Sequence, residues 1–109
     1  MDKNLKSKWI KALRSGRYRQ GQDGLRSGGK YCCLGVLAQI NGAKWIERKP
    51  FIGERSVGDR NSPEGFLSPA FCGLRTSTQG TLANMNDGNT KDGNARSFKQ
   101  IADYIEKRL

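Results

Sequence analysis

Apolar positions recur at helical spacing near both ends of the chain. Leu5, Trp9, Ala12 and Leu13 fall on one side of a helix that Asp2 can cap, while Lys3, Lys8, Lys11 and Arg14 fall on the other. Ser15 and Gly16 close it. Near the other end, Ser97-Phe-Lys-Gln100 has capping-box spacing, and Phe98, Ile101, Ala102, Ile105 and Leu109 form one apolar face. Between these, the block YCCLGVLAQI at residues 31–40 is the most apolar stretch, and Asn41-Gly42 after it has C-cap chemistry. This predicts a buried helix from about Cys32, with a strand start as the rival reading. Ser68-Pro69 predicts a short helix through Phe71 and Cys72 to Gly73, and Thr76 or Ser77 opens another that carries Leu82 and Met85.

The remaining segments lack helical periodicity. Residues 17–30 are rich in glycine and charge, and Gly28-Gly29 marks the tight turn of a hairpin. Trp45-Ile46 and Phe51-Ile52 flank Glu-Arg-Lys-Pro, a pattern for two short strands or an irregular arm. The run NDGNTKDGN at residues 86–94 holds two Asp-Gly turns and almost nothing to bury, which predicts a mobile surface loop over residues 86–96. The expectation is a single domain over residues 1–109 of the α+β class, mostly helical with a short antiparallel hairpin or sheet.

Composition narrows the function. A chain of 109 residues accommodates one core. Twenty Lys and Arg against ten Asp and Glu give a net charge of +10, and residues 1–30 hold nine of the basic and two of the acidic residues. Such a field favours anionic partners: nucleic acid, phosphorylated small molecules, acidic protein surfaces or anionic lipid. No apolar run approaches the roughly 20 residues that span a bilayer, and the start lacks a signal-peptide core, so the expected setting is the cytoplasm with no membrane partner. Three cysteines are a poor disulfide framework and read as buried thiols. Histidine is absent, removing the commonest general base and metal ligand. Neighbouring Cys32 and Cys33 with Cys72 do not complete a zinc set, and the loop from Asp87 lacks the glycine and glutamate of a calcium loop. No cofactor is implied.

Several motifs bear on an anion site. Gly24-Leu-Arg-Ser-Gly-Gly-Lys30-Tyr31 nearly spells a P-loop, but Tyr31 stands where the magnesium-binding hydroxyl belongs and the preceding segment is polar. What survives is a glycine-rich turn with Arg26 and Lys30 feeding a helix N-terminus near Cys32. Arg14, Arg17, Tyr18, Gln20, Arg26, Lys30 and Tyr31 form the candidate ligand site. The cations would neutralise phosphates, a tyrosine would stack on a base, and Gln20 would read the base edge. The bland alternative packs the tyrosines beneath the hairpin and leaves the arginines to the solvent. Glu47-x-Lys49 with Asp23 is a minor nuclease-like pattern.

Two blocks carry a resemblance. Trp9-x-x-x-Leu13-Arg-Ser-Gly-x-Tyr18-x-Gln20-Gly21 runs into Tyr31-Cys-Cys-Leu-Gly-Val-Leu37, and Leu82-x-x-Met-Asn-Asp87 precedes Ser97-Phe-x-x-Ile-Ala-x-Tyr-Ile-Glu106. Together they resemble a family of small, largely uncharacterised phage and prophage proteins over residues 5–40 and 82–109, with 88–96 as an insertion. The resemblance implies a phage setting, a host bacterial cytoplasm and an accessory role, and it supplies no catalytic residues. The leading expectation is a non-enzymatic anti-defence protein that sequesters a phosphate-bearing signalling nucleotide, with a homo-oligomer expected because small proteins often build pockets between protomers. Alternatives are a DNA- or RNA-binding regulatory or anti-nuclease protein, and a protein inhibitor of a host defence factor.

Overall fold

The computed structural model describes residues 1–109. Its first helix, α1 (Lys3–Arg14), begins where Asp2 Oδ2 accepts the Leu5 N–H at 2.8 Å. Lys11 and Arg14 in the last turn complement the helix dipole, and Gly16 leaves the helix at φ +77°. A small sheet follows, with β1 (Arg19–Gln20), β2 (Arg26–Ser27) and β3 (Lys30–Tyr31) in the order β1-β3-β2. The turn Gly28-Gly29 joins β2 to β3, and both glycines have positive φ, as a tight hairpin turn demands. The hairpin is as expected; the parallel pairing of β1 with β3 was not legible in so short a polar segment.

The core is organised around α2 (Cys33–Ile40), whose residues 33–38 are all buried. Cys32 caps it through Sγ, which accepts the Gly35 N–H at 3.4 Å. Gly35 is required here because a Cβ would collide with the backbone carbonyl of Leu25, so helix and hairpin meet backbone to backbone. The second sheet is an antiparallel meander of β4 (Lys44–Ile46), β5 (Lys49–Ile52) and β6 (Arg55–Ser56). It contains three strands where the sequence pattern showed two.

Three further helices close the core: α3 (Pro69–Cys72), α4 (Thr76–Asp87) and α5 (Phe98–Arg108). The capping box of α5 is formed, with the Gln100 N–H on Ser97 Oγ at 3.2 Å and the Ser97 N–H on Gln100 Oε1 at 2.9 Å. Leu109 corrects the expected apolar face: it lies just past α5 and is 39% exposed. Helix α1 packs on α5 and α2, and α4 packs on α2 and α5. The result is α+β with a radius of gyration of 12.6 Å, the size of one domain of this length. No helix is long and apolar enough to cross a membrane.

The loop boundary is a second correction. Residues 86 and 87 belong to α4, and Asn86, expected at the surface, is fully buried. The loop proper starts at Gly88, which ends α4 at φ +85°. Arg96 fastens that loop through Asp92 Oδ2 at 3.0 Å and through its backbone N–H, which reaches Met85 O at 2.7 Å.

Candidate functional site

Helix α4 turns Gln79, Leu82 and Asn86 to the interior, at spacings of three and seven residues that share one helix face. Its two amides work as polar plugs. Gln79 donates to the Leu67 and Leu74 carbonyls and accepts the Leu67 N–H at 2.8 Å. Asn86 Oδ1 accepts the Cys33 N–H at 3.2 Å and Gln20 Nε2 at 3.0 Å, while its Nδ2 donates to the Gly21 carbonyl at 2.7 Å. Residues 20–33, from the first part of the chain, and Asn86, from the last third, therefore meet in one hydrogen-bond network.

That network decides the fate of two site expectations. Gln20 is unavailable to read a base edge: Nε2 is shared between Asn86 Oδ1 and the Arg96 carbonyl, and Oε1 accepts the Phe98 N–H at 3.1 Å. The α2 N-terminus is not open to a phosphate, because Asn86 Oδ1 and the Cys32 thiol occupy its N–H groups and residues 32–38 are buried. The near-P-loop is thus a hairpin turn followed by a self-capped core helix.

Tyr18, Arg26 and Tyr31 do come together, joined by a residue the sequence reading missed. The Tyr18 and Tyr31 rings meet edge to face at 5.4 Å, and Tyr31 meets Trp45 in the same way at 6.2 Å. The Arg26 guanidinium carbon lies 5.5 Å from the Tyr31 ring centre and 5.8 Å from that of Trp45. Gln39 Oε1 accepts the Trp45 indole N–H at 2.7 Å, tying the second sheet to α2. Arg26 Nε is buried without a hydrogen-bond partner. This cluster bridges the two sheets, and Trp45 gave no signal beyond its place in a short strand pattern.

Arg14 lies apart from the hairpin, held by Asp103 Oδ1 at 2.7 Å and Glu106 Oε1 at 3.2 Å on α5. These hydrogen bonds raise the Arg14 pKa and lower that of Glu106. Lys30 is exposed and borders a groove with Gln22, Arg96 and Ser97. Arg17 and Tyr18 border another groove of about 340 Å³, with Lys8 and Lys11 on its rim and Ala12 and Ile40 on its apolar side. A larger open groove of about 750 Å³ runs along α1 between Lys3, Lys11 and Arg14. The ion pairs of the molecule involve Arg14 and Arg96 alone among its basic residues, so Lys3, Lys8, Lys11 and Arg17 present unpaired charge.

In the nuclease-like pattern, Glu47 occupies the β4–β5 turn at φ +59°, whereas the Asp23 backbone N–H reaches Asp87 at the end of α4. The cysteines are buried free thiols. Burial pushes Cys32 up to about 11 and raises Cys33 and Cys72, which keeps all three protonated and poorly nucleophilic at neutral pH.

These features define a small α+β domain with a basic helical face and a buried amide seam. The chain belongs to the family described as a domain of unknown function, DUF8296, whose sequence model matches residues 1–62. That span covers α1, both sheets and α2, and it stops before α4 supplies Asn86. No curated protein and no solved structure matches the chain.

Proposed function

We propose that this chain is a non-enzymatic binder of phosphate-bearing ligands, and that the ligand is a nucleic-acid strand lying along the exposed side of α1. One observation carries the reading: Lys3, Lys8 and Lys11 border open grooves on α1 and none is paired with a carboxylate. Unpaired cations spread along the exposed surface of a helix gain more from successive phosphates than from one small ligand, because each contact releases condensed counterions. In the phage setting that the resemblance implies, such binding serves gene regulation or shields nucleic acid from a nuclease.

Sequestration of a small signalling nucleotide is the second reading, favoured by the groove beside Tyr18. There a ring borders an apolar side of Ala12 and Ile40, with Lys8, Lys11 and Arg17 placed for phosphates.

Fluorescence anisotropy with short labelled DNA and RNA strands across a salt series, alongside native mass spectrometry with mono-, di- and cyclic nucleotides, separates the two. Strand binding that falls steeply with salt, and that is lost in the double variant Lys8→Glu with Lys11→Glu, is the expected result. Retention of a nucleotide with a shallow salt dependence selects the second reading. A protein that retains neither ligand sinks both, leaving a protein partner.

A further inference from the structure

Away from α1, two neighbouring grooves flank β6 and share Ser56 and Ser68 as their common border. The first, about 620 Å³, is bordered by Phe51 with Lys49 and Arg60. The second, about 410 Å³, is bordered by Phe71 with Arg55. Phe51 pairs across the strands with Lys44 and with Ser56, so it shares a sheet face with Lys44, Lys49 and the 60%-exposed Ile46. Phe51 is half-buried and stands outside the core cluster, whereas Phe71 is half-buried with one side packed on the core and borders the second groove. Lys49, Arg55 and Arg60 take part in no ion pair.

We propose that these paired grooves bind two successive nucleotides of a single-stranded nucleic acid, with bases on Phe51 and Phe71 and phosphates on Lys49, Arg55 and Arg60. Aromatic faces interleaved with unpaired cations are what a single strand uses and a duplex cannot, because stacked, paired bases present no free face. Asp59 narrows the choice of ligand further. Its Oδ2 accepts the Asn61 N–H at 3.0 Å, while Oδ1 takes no hydrogen bond within the fold. In the first groove this carboxylate stands beside Lys49 and Arg60, where it accepts an exocyclic amino group of a base while the two cations hold the phosphates. The proposal rests on the nucleic-acid reading of the ligand and adds its strandedness.

The test compares anisotropy of the full-length protein on a single strand and on a duplex of the same sequence. Phe51→Ala is expected to lower single-strand affinity about tenfold, the scale of one lost base–aromatic stack, and to leave duplex affinity unchanged. Phe51→Tyr, which keeps the ring, is expected to retain wild-type binding. Arg60→Gln, at an exposed position that makes no ion pair, is expected to flatten the salt slope on the single strand alone, which keeps the test valid if Phe51→Ala does not fold. Equal losses on both substrates, or no loss on either, overturn the site. If Lys8→Glu with Lys11→Glu abolishes binding while the Phe51 and Arg60 variants bind as wild type, the grooves fail and the α1 reading stands. Absence of binding to any strand by the wild type overturns both.

Discussion

Asn86, in the last turn of α4, accepts the backbone N–H of Cys33, the first residue of α2, through its side-chain oxygen at 3.2 Å. One side chain thereby satisfies a helix N-terminus from a distant part of the chain, while its Nδ2 holds the Gly21 carbonyl that follows β1. The contact fixes three elements relative to one another and closes off the place where a phosphate would otherwise sit.

Loss of that side chain should be costly. Asn86→Ala strands the Cys33 N–H and the Gly21 carbonyl and removes one of the three hydrogen bonds of Gln20, so the expected destabilisation is about 3 kcal/mol, read from the midpoint of urea unfolding. Asn86→Asp should be worse near neutral pH, because the introduced carboxylate faces the Gly21 carbonyl and Asp87. A loss below about 1 kcal/mol for Asn86→Ala would mean that water replaces the amide.

Gly35 and Gly29 provide a matched pair. Gly35→Ala drives a methyl group into the Leu25 backbone carbonyl, where no rotamer offers relief, and should cost more than about 3 kcal/mol or prevent folding. Gly29→Ala meets no atom within 4 Å and should cost only about 1 kcal/mol, from its positive φ. Thermal melts of the two variants check the ranking.

The Asp92–Arg96 pair sets an acid limit for the loop after α4. Hydrogen bonds from Arg96, the Asn94 N–H and Thr90 hold the Asp92 carboxyl well below the usual carboxylate range. A depressed folded-state pKa means that the contribution is present above the unfolded value of about 3.9 and is lost as pH falls through the lower folded value. Carbon-detected NMR titration should find Asp92 still ionised at a pH where an unstructured aspartate, with its pKa of about 3.9, has begun to protonate. Asp92→Asn should weaken the acid dependence of loop ordering.

Thiol chemistry should depend on unfolding. Cys32, raised by burial to about 11, and Cys33, raised by the same cause, stay protonated in the fold after an unfolded thiol has ionised at about 8.5. The folded state then binds more protons than the unfolded one, so stability falls as pH rises from about 8.5 towards 11. Ellman's reagent should label the native protein slowly at pH 8 and label all three cysteines in guanidinium.

Legibility in the sequence followed apolar periodicity. The faces of α1 and α5 and their caps at Asp2 and Ser97 could be read because pattern and cap chemistry agree locally. Helix α4 could be placed through Leu82, but its inward face could not be read, since Gln79 and Asn86 occupy core positions where patterning expects apolar residues. The candidate site suffered for the same reason. Gln20 and Arg26 resemble ligand-contacting residues by type, and only their partners, Asn86 and Arg96 for one and Tyr31 and Trp45 for the other, reveal them as parts of the fold.

By itself the sequence determined the α+β class, the helices that carry an amphipathic stripe or a buried apolar run, the Gly28-Gly29 turn, and a positive field concentrated in the first quarter of the chain. These depend on neighbours in sequence: side-chain period, cap geometry, the φ freedom of glycine, and summed charge. The tertiary structure alone decided that β1 runs parallel to β3, that the near-P-loop leads into a capped and buried helix, and which cations remain unpaired. Each of those outcomes depends on a partner far along the chain, and such pairings are set by packing and by the need to satisfy every buried polar group, which no local pattern encodes.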